Sequence, residues 1–304
     1  MKNPIISIVI ITKNDPGVGV TLAALRSVIK PAETEIIVVD GSTPQNSLDA
    51  VRKQYPAVRW LHYDTTRAAH RTFSQQRNRG VRAARGMYIV FIDGDCTPAA
   101  NWLAELYQVL QAAPRNVVAS QLLSTGRSSA FGLDHAPRTG LEPISEAPAN
   151  GLAMPRALFD EIGLFDERIT FGEDTDITWR VRMAGYAIVW NTRAIIRHDW
   201  GTASADMKRA FRYGAARAKL YRKHPTLWRQ LFGHDLNVLV YGAYIVLLPL
   251  TLLGLLWWPV WLYPFILIIP GLKNIRRKPL LITATNLVYG CGVVVGAVTK
   301  GLAV

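Results

Sequence analysis

The chain has 304 residues, enough for one large or two small domains with a sizeable core. At 50% hydrophobic and 19% charged it is not a disordered chain, and its two cysteines, Cys96 and Cys291, exclude a disulfide scaffold and a cysteine-only zinc site. A formal net charge of +13 (35 Lys+Arg against 22 Asp+Glu) calls for an anionic neighbour: nucleic acid, lipid headgroups or a phosphorylated substrate.

The first residues do not read as a signal peptide. Met1–Pro4 leads into only a short β-branched run, which Lys13, Asn14 and Asp15 close, so the leading domain is expected in the cytosol. Ile5–Thr12 (IISIVIIT) has the pattern of a strand buried on both faces. Val20–Ile29 has helical spacing, Glu35–Asp40 (EIIVVD) reads as a second strand, Leu48–Gln54 as a short helix and Val58–Tyr63 as a third strand. Phe73–Arg85 is a predicted helix, Met87–Asp93 a fourth strand, and Pro98–Gln111 a helix capped by Thr97. This alternation predicts a mostly parallel sheet with helices on both faces, whose ligands bind at the carboxyl ends of the strands.

The residues at those ends are therefore the ones that carry chemistry: Thr12-Lys13-Asn14, Asp40-Gly41-Ser42 and Asp93-Gly94-Asp95. No G-x-G-x-x-G follows the first strand and no G-x-x-x-x-G-K-[ST] occurs, which removes support for a dinucleotide dehydrogenase and a P-loop NTPase. Asp40 is placed to accept hydrogen bonds from a base or ribose. Asp93 and Asp95 form a D-x-D that can present two carboxylates to one hard cation, Mg²⁺ or Mn²⁺, bridging to a diphosphate. Any one such Asp is more often a turn residue or cap, but three such polar sites at strand ends of one sheet point to a functional site. Further on, Glu173, Asp174 and Asp176 stand within four positions. They fit either a helix N-terminus stabilised by its dipole or a general base for a hydroxyl acceptor.

In this order the motifs SIVIITKN (Ser7–Asn14), EIIVVDGST (Glu35–Thr43), QQRNRGVRAARGMYIVFIDGDC (Gln75–Cys96), NGLAMPR (Asn150–Arg156), IGLFDE (Ile162–Glu167) and FGEDTDITWRVRMAGY (Phe171–Tyr186) resemble a family 2 glycosyltransferase of the GT-A fold, over about residues 4–200. The resemblance implies a Rossmann-like α/β nucleotide-diphospho-sugar transferase domain. It implies Thr12, Asn14 and Asp40 at the nucleoside, Arg77 near the donor, Asp93 and Asp95 on ribose and metal–diphosphate, Asp174 as catalytic base, and His198 reaching to the metal or diphosphate. The processive-synthase signature Q-x-x-R-W is missing; Arg209–Gly214 (RAFRYG) stands at a comparable place, as in membrane-bound members that build cell-surface or lipid-linked glycans. Residues 121–149, which usually contact the acceptor in this fold, match no motif.

From Leu236 onward there is no acidic residue. Leu236 to about Leu256 is an apolar run of about 21 residues, long enough to cross the ~30 Å hydrocarbon core. A second run, Trp257–Leu272, contains Pro259, Pro264 and Pro270 and reads as a span or a re-entrant hairpin; a third covers Leu280–Val298. Lys273, Arg276, Arg277 and Lys278 between the last two place that loop in the cytoplasm, and Trp257, Trp258, Trp261 and Tyr263 then sit at the outer interface. The basic, aromatic stretch Asp206–Gly233 reads as an interfacial helix on anionic lipids; no base-reading module accompanies the charge, so nucleic acid is not the partner.

The expected arrangement is a domain over 1–205, an interfacial segment over 206–234 and a membrane region over 235–304 with two to three helices, the second run either spanning or re-entrant. The expected activity is inverting transfer from a nucleotide-sugar to a glycan or lipid-linked hydroxyl at the cytoplasmic membrane. An inactive scaffold and a nucleotidyltransferase are the alternatives.

Overall fold

Ile6–Thr12 (β1) is buried at every position, as its unbroken β-branched run requires. Each such side chain taken from water contributes about 1.5–3 kcal/mol. In the computed structural model, which describes residues 4–65, 72–125, 140–199, 201–255 and 279–302, β1 lies in the interior of a mixed sheet. It is flanked in parallel by β2 (Thr34–Asp40) and β4 (Tyr88–Asp93), with β3 (Arg59–His62) parallel outside β2. Helices α1 (Val18–Arg26), α2 (Asp49–Gln54) and α3 (Phe73–Ala83) connect these strands. The four strands and three helices expected over this half are all present, with ends moved by at most three residues.

Beyond β4 the sheet departs from the parallel expectation. Order runs β3-β2-β1-β4-β8-β6-β9-β5, and β8 (Leu152–Pro155) is antiparallel to both β4 and β6 (Val117–Ser124). Strand β9 (Ile188–His198) pairs in parallel with β6 and antiparallel with β7 (Leu141–Ile144). The predicted helix from Pro98 begins instead at Trp102 (α4, Trp102–Ala112), behind Asn101, and Thr97 is not its cap. Thr97 and Pro98 form a two-residue strand, β5, paired with Arg197 and Ile196. Two further helices, α5 (Leu158–Ile162) and α6 (Glu173–Met183), complete this unit. Its core includes Phe91 stacked edge-on against Phe165 at 5.4 Å and against Phe159 at 6.3 Å.

The chain divides at residues 199–200 into this unit and a second, helical one. The helix expected from Asp206 starts at Ala203 and runs to Lys223 (α7), capped by Thr202, whose hydroxyl accepts from the Ala205 amide. A short helix α8 (Gln230–Gly233) precedes α9 (Leu236–Leu247). The first apolar run is thus not one α-helix of about 21 residues. It ends as α-helix at Leu247 and continues as a 3₁₀ segment, Leu248–Leu255, because Pro249 lacks an amide hydrogen and its ring crowds the preceding turn.

The third run forms α10 (Pro279–Val298). Among the described residues, Leu280–Val298 is one helix long and apolar enough to cross a membrane; Pro225–Gly233 with Leu236–Thr251 passes the same test only as a pair bent by 87°. The second run, the basic loop Lys273–Lys278 and the aromatic cluster at 257–263 lie outside the described residues.

Glycines on α10 set its packing. A Cβ on Gly292 would overlap the Phe211 carbonyl, one on Gly296 the Ala215 carbonyl, and one on Gly214 the Tyr289 carbonyl. Small residues let the two backbones touch, the device that replaces a hydrophobic drive where surroundings are apolar. Arg222 then closes the C-terminal end of α10, donating to the carbonyls of Ala297 (3.0 Å) and Thr299 (2.7 Å). One face of α7 is thereby given to α10.

Candidate active site

Parallel register brings the first three strand ends level: Thr12 stands beside Asp40, and Ile11 beside Asp93. Thr12 and Asp40 are buried, and the loops that follow are laced together. The Asn14 amide donates to Ser42 Oγ (2.7 Å), Asn14 Oδ1 accepts from the Thr43 amide (2.8 Å), and Asp40 Oδ1 accepts from the Ser42 amide (2.9 Å). Asn14 adopts φ 55°, left-handed backbone that Asn tolerates better than most residues. Arg52 lies 3.6 Å from the other Asp40 oxygen. Thr12 donates to the Asp15 carbonyl at 3.2 Å, and its own carbonyl accepts from Gln76 Nε2 at 2.9 Å.

The second cluster centres on Arg77, buried on α3. Its Nη1 donates to Glu173 Oε1 at 2.6 Å and its Nη2 to Asp93 Oδ1 at 3.1 Å. Burial opposes the Arg77 charge, but Asp93 and Glu173 more than offset it and hold the guanidinium firmly protonated. Glu173 follows Gly172, whose φ of 83° starts α6 from a left-handed residue. Asp174, the next residue, accepts from the Thr175 amide at 2.8 Å. Burial, then the Glu173 charge, pushes the Asp174 carboxyl up to about 7. Asp176 is fully buried and paired with Arg180 at 2.9 Å, so of the three acids here it is structural.

The third cluster joins residues 103 positions apart. His198 Nε2 lies 3.1 Å from Asp95 Oδ2, because β5 pairs Thr97 with Arg197 and so draws the end of β9 alongside the D-x-D turn. Asp95, Cys96 and His198 offer ligand atoms that all lie within 4.8 Å of one another. Burial raises Asp95, but the hydrogen bond and charge of His198 outweigh it and leave the carboxyl below its ordinary value. Cys96 differs. Burial and the charges of Asp93 and Asp95 push its thiol far up, and its sulfur accepts from Asn150 Nδ2 at 3.1 Å. Asp95 and His198 would offer a carboxylate oxygen and an imidazole nitrogen to a divalent cation, with the Cys96 sulfur beside them. Asp93 is outside this group; its carboxylate is engaged by Arg77.

Asn150 is a participant that the sequence motifs do not single out. It ties two clusters together, since its Oδ1 accepts from the Asp93 amide (3.2 Å) while its amide nitrogen holds Cys96. The Asn-Gly dipeptide was the available signal, as Gly151 has φ 81°. Glu173, one of the three acids of the 173–176 cluster, is the buried partner of Arg77.

Residues 7–150 match the sequence model of glycosyl transferase family 2. The chain is 27% identical to a pre-mycofactocin glycosyltransferase of Mycobacterium tuberculosis over 62% of this chain and 43% of that protein. It is 23% identical to the glycosyltransferase AglE of Haloferax volcanii over 78% of this chain and 81% of that one. The matched part thus spans less than half the length of the mycobacterial relative. In structure it is similar to GalNAc-T7, solved with UDP, GalNAc and Mn²⁺, at 15% identity and TM-score 0.56, covering 72% of this chain and 51% of that one. The first unit therefore has the mixed α/β GT-A fold.

Proposed function

We propose that the chain is an inverting glycosyltransferase that moves a sugar from a nucleotide-diphosphate sugar to a hydroxyl acceptor at the cytoplasmic face of a membrane. The observation that carries this reading is the grouping of carboxylates at the strand ends: register sets Asp40 beside Thr12 and Asp93 beside Ile11, Asp95 lies against His198, and Arg77 ties Asp93 to Glu173, the neighbour of the raised Asp174 carboxyl. The matched family and the named relatives support the class of reaction.

Asp40 accepts from the base or ribose, held in place by the Ser42 amide. Thr12 and Asn14 shape the wall beside it. Asp93 orients the ribose and diphosphate side, its carboxylate steered by Arg77. Asp95 and His198 would hold a divalent cation, which when bound stabilises the negative charge of the departing nucleoside diphosphate. Asp174 takes the proton of the acceptor hydroxyl as that oxygen attacks the anomeric carbon from the face opposite the leaving group. Its raised pKa makes it a stronger base than an ordinary carboxylate. The acceptor is lipid-linked or a cell-surface glycan precursor, on the strength of the apolar helix at 280–298.

The test is a panel of nucleotide-sugars offered to the full-length protein in detergent with Mn²⁺ or Mg²⁺. Asp174→Asn is expected to bind donor as wild type does and to lose transfer by roughly 10²–10⁴-fold. A protein that binds no nucleotide-sugar with either ion is a scaffold, and one that transfers the nucleotidyl group belongs to another class; both outcomes overturn the reading.

A further inference from the structure

The helical unit contains a cavity of about 320 Å³ bounded by α7, α9 and α10. That is the small end of the range for ligand sites, about 300–1,000 Å³. Its wall is unexpectedly polar for a unit whose α9 and α10 are apolar. Arg217 and Asp235 form an ion pair in this wall at 3.4 Å, and Asn237, Thr285 and Asn286 line it as well, the Thr285 hydroxyl donating to the Leu281 carbonyl at 2.8 Å and keeping its acceptor lone pairs. Tyr213, Tyr241 and Tyr289 supply the aromatic surface, with the Tyr241 and Tyr289 rings edge-to-face at 6.4 Å. None of these residues has a part in the proposed transfer chemistry.

We propose that this cavity binds the neutral, hydroxyl-rich headgroup of a membrane glycolipid. Two observations select that chemistry. First, the charges of the wall cancel: the one arginine faces the one aspartate, and Asp235 also accepts from Tyr221 Oη at 2.6 Å. A phosphate would meet that carboxylate, whereas a sugar hydroxyl can donate to it and accept from Arg217. Second, amide, phenol and alcohol side chains both donate and accept, as sugar hydroxyls do, and aromatic faces cover the apolar C–H face of a pyranose.

The lipid half of the proposal comes from the outside of the same helices. Leu280 on α10 and Val246 on α9 are 86% and 62% exposed, so two of the helices that bound the cavity also present apolar surface outward. An amphiphile with its chain against that surface and its headgroup in the cavity satisfies both. The lipid source rests on the membrane reading above; the binding of the headgroup does not depend on glycosyl transfer.

The full-length protein, held in a polyoxyethylene detergent with no nucleotide-sugar present, is titrated with n-octyl β-glycosides of glucose, galactose and N-acetylglucosamine while its melting temperature and fluorescence are followed. At least one octyl glycoside should bind saturably, and its affinity should fall about fivefold in Asn286→Leu and in Thr285→Val, the usual scale for one lost hydrogen bond. Two substitutions are used so that one misfolded variant does not decide the result. The matching methyl glycoside should bind at least about tenfold more weakly, through the loss of apolar contact. Octyl phosphate binding as tightly as the glycosides, equal affinity for methyl and octyl glycosides, or full affinity in both variants would each overturn the proposal, as would no response to any glycoside. Because donor is absent, such a failure leaves the transferase reading untouched, and loss of transfer activity leaves this one untouched.

Discussion

Asp174 and Arg77 show how one residue sets the behaviour of another across the first unit. With the Asp174 carboxyl raised to about 7 by burial and by Glu173, the base is half protonated near neutrality. Activity (kcat/KM) is therefore expected to rise with pH through about 7, where an ordinary carboxylate would give a flat profile down to about pH 5. A pH–rate profile reads this directly. The same shift affects stability with a definite sign. A carboxyl whose folded pKa lies above its unfolded value of about 4 costs nothing below that value, and its full cost is present above about 7. Asp174→Asn removes the cost, so its melting temperature relative to wild type should climb between pH 4 and pH 8.

Arg77 holds the opposite sign of charge between Glu173 and Asp93. Arg77→Met leaves Glu173 buried without its cation, a change expected to destabilise by about 3–5 kcal/mol. Adding Glu173→Met should recover part of that loss. Equal melting of Arg77→Met and wild type would show that the ion pair is not holding α3 to α6.

At the scale of elements, β5 and α10 matter most. The two-residue strand β5 is too short to carry a sequence signal, yet its pairing with β9 is what brings Asp95 to His198. Strand β9 itself runs on to His198 because an irregularity opposite Ser120/Gln121 absorbs Thr192–Ala194 and lets pairing with β6 resume at Ile195. In the helical unit the glycines of α10 are contact points rather than breaks. Gly292→Ala should push α10 off the Phe211 carbonyl and cost about 1–3 kcal/mol, whereas Gly233→Ala, with open space around it, should melt as wild type does. Thermal melting of the two variants in detergent makes the comparison.

For the molecule as a whole the open prediction is topological. The loop 273–278 should share the cytoplasmic side with the first unit, because four basic residues in six positions outweigh any other orientation signal in the chain. Asn274→Cys in a Cys291→Ser background isolates the position, since Cys96 is buried. A membrane-impermeant thiol reagent should label it only after permeabilisation. Labelling in intact cells would reverse the orientation. High-salt washing should leave the full-length protein on membranes, since screening weakens surface charge but not the burial of an apolar helix; release by salt alone would remove the spanning reading.

The parallel half of the sheet was legible because its signals are local. β-branched runs at 5–12, 35–40 and 87–93 name their own strands, and a strand that ends in Asp places that Asp at the carboxyl edge whatever surrounds it. The order of the motifs likewise pointed to the GT-A fold before any strand was paired. What only tertiary structure decided depends on partners distant in the chain. The antiparallel turn of the sheet at β8, the capture of Arg77 by Glu173 and the tie from Asn150 to Cys96 each join residues between 54 and 96 positions apart or the strands that carry them, while the approach of His198 to Asp95 was expected through the family resemblance alone. Such contacts are set by strand register and burial, and neither local propensity nor spacing encodes them.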